Sequence, residues 1–171
     1  HAQMQAPYLY YYAVTTVGHD PQEHNPDRIG LMKSLQVAGG WERTYKGLPI
    51  KTKVEMYYQY LFDVPVETKP SSFSMLNAGT GFGRIWPDTL QNTGVGRNYG
   101  LELTVERFFA GGFYFMTTAS LFDAKYQGSD GEWRNTVFNG RYAFNVLAAK
   151  EIKLGKNNRF NVGIKYTTVG G

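Results

Sequence analysis

The residue types best able to do chemistry gather in His19-Asp20-Pro21-Gln22-Glu23-His24, which sets two imidazoles and two carboxylates in one short stretch. A metal site needs several such ligands converging at about 2.0–2.2 Å, each held by further hydrogen bonds. Pro21 and Pro26 mark an irregular loop instead, so the segment reads as a solvated connection and no metal is expected. Gly79-Thr80-Gly81-Phe82-Gly83-Arg84 and Gly94-Val95-Gly96-Arg97 look superficially like phosphate loops. That chemistry needs a helix beginning directly after the glycines, so that its free N–H groups meet the anion. Arg97 leads into a strand pattern, and the glycines suit bends in an external loop. Ser129-Asp130-Gly131-Glu132 lacks the spaced acidic ligands of a calcium loop and reads as a hairpin turn. No Ser/His/Asp or paired-carboxylate arrangement stands out, so neither an enzymatic activity nor a cofactor is expected.

A second set of charges is organised by spacing. Lys51, Lys53, Glu55, Glu102, Glu106, Arg141 and Lys165 fall on the polar face of alternating segments. In a large barrel they would face a watery lumen or a plug, with opposite charges paired across neighbouring strands. The solvated face of a soluble sheet has the same pattern, and spacing alone leaves both readings open.

The elements that must position these charges are strands. In 51–62, Thr52, Val54, Met56, Tyr58, Tyr60 and Phe62 alternate with Lys51, Lys53, Glu55, Tyr57, Gln59 and Leu61. Tyr99, Leu101, Leu103 and Val105 oppose Gly100, Glu102 and Thr104. Similar period-two patterns run through 35–42, 138–148 and 160–167, while 113–126 carries aromatics on both faces. This is the signature of a half-buried strand, and no segment shows a helical period. Composition agrees: 13 Tyr, 11 Phe and 20 Gly suit strands and tight turns. The chain has no cysteine, which excludes disulfides and thiolate chemistry, and its charge of +4 comes without any Lys/Arg run, so no nucleic-acid partner is expected.

The connections alternate in length. Long polar links at about 16–30, 63–98 and 127–135 alternate with short turns near 46–47, 110–112 and 155–158. Transmembrane barrels show this asymmetry, with short periplasmic turns and longer external loops. Aromatics such as Trp41, Tyr45, Phe108, Phe109, Phe113 and Tyr142 gather near strand ends, where amphipathic rings favour the headgroup depth. No apolar run approaches the ~20 residues a membrane helix needs. The mean hydropathy of −0.40 is compatible with barrel strands, which turn alternate side chains to a polar interior. The pattern thus predicts an all-β fold, about six to seven antiparallel strands spanning residues 1–171 as one partial barrel domain.

Three stretches carry a family resemblance. Glu55-Met56-Tyr57-Tyr58-Gln59-Tyr60-Leu61-Phe62-Asp63-Val64-Pro65-Val66 with Ser72-Phe73-Ser74-Met75-Leu76-Asn77 resembles TonB-dependent outer-membrane receptors. So does Arg97-Asn98-Tyr99-Gly100-Leu101-Glu102-Leu103-Thr104-Val105-Glu106-Arg107-Phe108. The third, from Ser120 through Gly128-Ser129-Asp130-Gly131 and Arg134-Asn135-Thr136 to Phe138-Asn139-Gly140, is similar to a peptidase-regulatory-like subgroup. The match covers most of 33–150.

What the resemblance implies is a barrel of about 22 strands with a plugged lumen, in the outer membrane of a Gram-negative bacterium. Its implied partners are outer-membrane lipid, the remaining strands and plug, the TonB complex, and a small-molecule, glycan or peptide ligand. Plug, TonB-contacting segment and aromatic-terminated final strand have no counterpart here, so the chain is expected to be a fragment of such a receptor. The ligand contacts expected in the long 63–98 link are Phe73, Phe82 and Trp86. Two other classes fit the strand pattern: a small structural or adhesive outer-membrane barrel, and a soluble β-sandwich binding module.

Overall fold

The computed structural model describes residues 2–6, 29–78, 87 and 89–170. Apart from one 3-10 turn at Met75–Asn77, every regular element in them is a strand: β1 (Ala2–Gln5), β2 (Met32–Thr44), β3 (Ile50–Glu67), β4 (Leu90–Ala110), β5 (Phe113–Gln127), β6 (Trp133–Asn135), β7 (Tyr142–Leu154) and β8 (Asn158–Val169). They form one sheet in the order β1-β2-β3-β4-β5-β7-β8, with β6 paired to β5 beside that path. The fold is all-β with an antiparallel sheet, as the alternation predicts. The eight strands slightly exceed the expected six to seven because β1 and β6 have only four and three residues, too few to show a period.

Tight turns join β2 to β3, β4 to β5 and β7 to β8. In the first, the Tyr45 amide donates to the Ile50 carbonyl (3.1 Å) and the Leu48 amide to the Tyr45 carbonyl (3.2 Å). The second needs glycine: Gly112 has φ +72, and a Cβ there would stand 2.9 Å from the Glu151 carbonyl oxygen. The β3–β4 connection is 68–89 rather than the 63–98 read from the sequence, because β3 continues to Glu67 and β4 begins at Leu90. The 16–30 link lies almost wholly outside the described residues.

By packing, the chain divides into two compact units. The first comprises His1–Val37, Tyr58–Tyr99 and Asp123–Asn139; the second comprises Ala38–Tyr57, Gly100–Phe122 and Gly140–Gly171.

The first unit has a small core. Ile29, Val64, Met75 and Leu90 are buried together, with Met32, Leu61, Phe73, Leu76 and Ala78 packed against them. Asp63 directly precedes the core residue Val64. Its φ of +54 is a left-handed value inside a strand, which breaks the alternation that holds through Leu61. Val64, Pro65 and Val66 then all lie buried. The Lys33 ammonium meets the Asp63 carboxylate at 2.7 Å, and Asn92 Nδ2 donates to the Asp63 carbonyl at 2.5 Å. Asn92 also brackets Gly30, accepting from its amide (2.9 Å) and donating to its carbonyl (3.2 Å), which holds neighbouring Ile29 in place.

In the second unit long ladders join β5 to β7 and β7 to β8. On one face of β7, Tyr142, Phe144, Val146 and Ala148 stand opposite Leu121, Ala119, Thr117 and Phe115 of β5. Phe144, Val146 and Ala148 in turn stand opposite Thr168, Tyr166 and Ile164 of β8. On the reverse face Asn145 Nδ2 donates to Thr118 Oγ1 at 3.1 Å. Among the described residues β8 has β7 as its one strand partner.

Candidate ligand-facing site

Two surfaces concentrate polar groups, one in each unit. In the second unit, β2, β3 and β4 bring charges together on one face. Lys51 lies 3.7 Å from Glu42 and 3.6 Å from Glu106, and Lys53 meets Glu55 at 2.7 Å. Tyr57 covers Gly100 on the neighbouring strand, where a Cβ would stand 2.8 Å from its ring. Glu102 lies on this face too, within electrostatic reach of Lys53. Five of the seven charges singled out by spacing therefore cluster. Arg141 does not join them: it has φ +63 and sits in the bend before β7, where its carbonyl accepts from the Phe122 amide at 2.9 Å. Lys165 is on β8, opposite Leu147.

The opposite face of the same unit is apolar and open. Trp41, Met56, Leu101, Leu103, Phe109, Leu121 and Tyr142 are exposed there, and so are Phe160, Val162, Ile164 and Tyr166.

In the first unit a row of uncharged polar groups crosses four strands. Gln3 of β1 stands opposite Ser34 of β2. Gln59 of β3 donates to Ser34 Oγ at 2.8 Å and accepts from Asn98 Nδ2 of β4 at 2.8 Å. Residues directly opposite one another share a face, so the next pair, Gln5 and Met32, stands beside this row. Leu61 and Leu76 complete the apolar side, and Leu76 lies so close over Gly96 that a Cβ there would collide with it. These groups border a hollow of about 420 Å³ lined by Gln3, Met4, Gln5, Met32, Lys33, Ser34, Gln59, Leu61 and Leu76. A smaller one of about 190 Å³, lined in part by Met75 and Ala78, shares Gln5, Met32 and Leu76 with it.

The wall contributed by the β3–β4 connection is tied down. Ser74 Oγ accepts from the Leu76 amide, capping the 3-10 turn. Asn77 Oδ1 accepts from the Val137 amide at 2.8 Å. Ser129 Oγ donates to the Lys69 carbonyl (2.6 Å) and accepts from the Ser71 amide (3.0 Å), and the Asp130 amide donates to the Ser71 carbonyl (3.3 Å). Gly128 permits this contact, since any Cβ would strike the Ser71 carbonyl oxygen. The turn itself is braced by two hydrogen bonds from Arg134 to the Asp130 carboxylate, at 2.7 and 2.8 Å. They hold that carboxyl below the ordinary carboxylate value and raise the guanidinium. Arg97 completes the brace by lying 4.3 Å over the Trp133 ring.

Of the three expected ligand contacts, Phe73 packs partly buried against the Val64–Met75–Leu90 core. Its ring helps hold the connection to the sheet. Phe82 and Trp86 lie outside the described residues, as do His19 and His24. Among the described residues, no group of three or more His, Cys, Asp or Glu side chains could hold a metal ion. The Gln3–Ser34–Gln59–Asn98 row was missed from sequence because charge, not amide content, singled out the polar positions. Its signal was available in the alternation that puts Gln59 beside Lys51, Lys53 and Glu55 on one face.

No protein-family model, curated protein or solved structure matches this chain.

Proposed function

We propose that this chain supplies wall strands and external loops to an outer-membrane β-barrel receptor of the TonB-dependent type, binding a ligand at the cell surface and taking it into the periplasm. The observation that carries this reading is the second unit's pair of unlike faces. One is lined by paired charges, while the other exposes Leu101, Leu103, Val162, Ile164 and Tyr166. A lipid-facing wall needs its outward side chains apolar and tolerates charge on the inward side. Strand length agrees, since the six long strands have 12 to 21 residues and a tilted strand crosses hydrocarbon in ~9–11. In this reading the paired charges face the lumen or a plug domain. The hollow of the first unit is the capture site, and the TonB complex supplies the energy for uptake. Localisation is the outer membrane of a Gram-negative bacterium.

The soluble-sandwich alternative requires a second sheet over the apolar face, and no described segment of the second unit supplies one. Membrane fractionation of the natural polypeptide tests the proposal. Recovery in the outer membrane, resistant to alkaline extraction and with heat-modifiable migration, is the expected result. A monodisperse protein that stays in solution without detergent would sink it.

A further inference from the structure

The chemistry of the hollow in the first unit is narrower than the receptor reading requires. Its polar side is made of amides and a hydroxyl: Gln3, Gln5, Gln59 and Ser34. Each amide side chain carries both a donor and an acceptor, as every peptide unit does. Gln59 uses one bond at each end, to Ser34 and from Asn98, so both ends retain capacity. Among the described lining residues Lys33 is the one cation, engaged by Asp63 at 2.7 Å, and no carboxylate is present. These residues offer a charged ligand no unengaged counter-charge for the hydration it would lose. No aromatic ring stands among these described residues either. Beside the amides run Met32, Leu61 and Leu76, an apolar row fit for aliphatic side chains.

We infer that this hollow takes an extended, uncharged peptide segment, its backbone amides bonding the Gln3–Ser34–Gln59 row and an aliphatic side chain resting on Met32, Leu61 and Leu76. Strands lie about 4.8 Å apart, so three adjacent strands span about 10 Å, the length of about three residues of extended chain. A volume of about 420 Å³ is in the range of small-ligand sites. The inference rests on the receptor reading for its setting, but its chemistry comes from the lining alone.

The test is calorimetric titration of the natural full-length polypeptide in detergent. The probes are capped neutral peptides of a few residues containing Leu or Met, neutral oligosaccharides of similar length, and otherwise identical peptides carrying Asp or Lys. Neutral peptides are expected to bind best, and both Gln59→Leu and Ser34→Ala should weaken them, the former about tenfold, as befits lost hydrogen bonds. Heat-modifiable migration of each variant shows that it still folds. Stronger binding of the oligosaccharides or charged peptides overturns the inference, and so does silence toward all three probes. Neutral-peptide affinity indifferent to both substitutions overturns it as well. Fractionation separates the two ideas: a polypeptide resident in the outer membrane that ignores peptides loses only this inference. One that binds peptides yet stays in solution loses the receptor reading.

Discussion

Val64, Val66 and Leu90 of the first unit have no exposed surface at all, whereas the second unit has no buried residue among those described. Both are made from the same strands, since β2, β3, β4 and β5 each contribute to both units. The difference lies in what covers the strands. In the first unit the β3–β4 connection folds back and lays Phe73, Met75 and Leu76 against them. In the second the connections are tight turns, too short to cover anything. Its apolar side chains stay open on one face and its charges pair on the other. A sheet can thus be stabilised internally where a loop returns to it, and must rely on its surroundings where none does.

The sharpest way to break this comparison is to hollow out the first unit's core. Leu90→Ala should cost the first unit about 2–5 kcal/mol, the usual penalty for a buried leucine with its residual cavity. Ile164→Ala, on the open face, should cost under about 1.5 kcal/mol, since no packed cavity forms. Hydrogen exchange of Met75–Ala78 and of β8, compared between the two variants, reads both. Equal losses would mean that the second unit has a hidden core of its own.

Nearly as large is the effect of a charge on the open face. Leu103→Arg should reduce folding stability in lipid vesicles by about 2–4 kcal/mol if that position lies near the bilayer midplane. The same change on a water-facing surface would fall within about ±0.5 kcal/mol. A small value in vesicles would remove the lipid from the account of the second unit.

Gly128→Ala probes the tie that gives the first unit its cover. Its Cβ has no room beside the Ser71 carbonyl, so the turn and the connection must part, at about 1–3 kcal/mol for overpacking. Faster exchange at the Ser71 and Asp130 amides and earlier proteolysis within 68–78 are the expected readouts. Unchanged protection would show that Asn77 and Ser74 suffice to hold the connection.

The smallest effect concerns acid. Because Arg134 lowers the Asp130 carboxyl below its ordinary value, the stability it contributes is present above that ordinary value. It is lost only as pH falls through the lower, folded-state value. The turn should therefore stay protected from neutral pH down through the ordinary carboxylate range. Arg134→Met should move its loosening upward into that range, followed by an NMR titration of the Gly131 and Glu132 amides. This exposed pair contributes little to overall stability, and a titration identical in the variant would assign the brace to Arg97 and Trp133 instead.

Period two in the sequence determined most of the strands, their antiparallel sense and the charged face, because alternation alone decides which side chains share a face. The turns near 46–47, 110–112 and 155–158 were legible for the same reason, with glycine marking left-handed positions at Gly47, Gly111, Gly112 and Gly155. Only the tertiary structure decided that Asp63 takes a left-handed value within β3 and that the three residues after it are all buried, Val64 in the core. Only it decided that Phe73 faces that core, since the ring's fate depends on a connection returning to the sheet. The Gln3–Ser34–Gln59–Asn98 row belongs to the same class. Its members lie far apart in sequence, and no local spacing can show that four strands bring them into line.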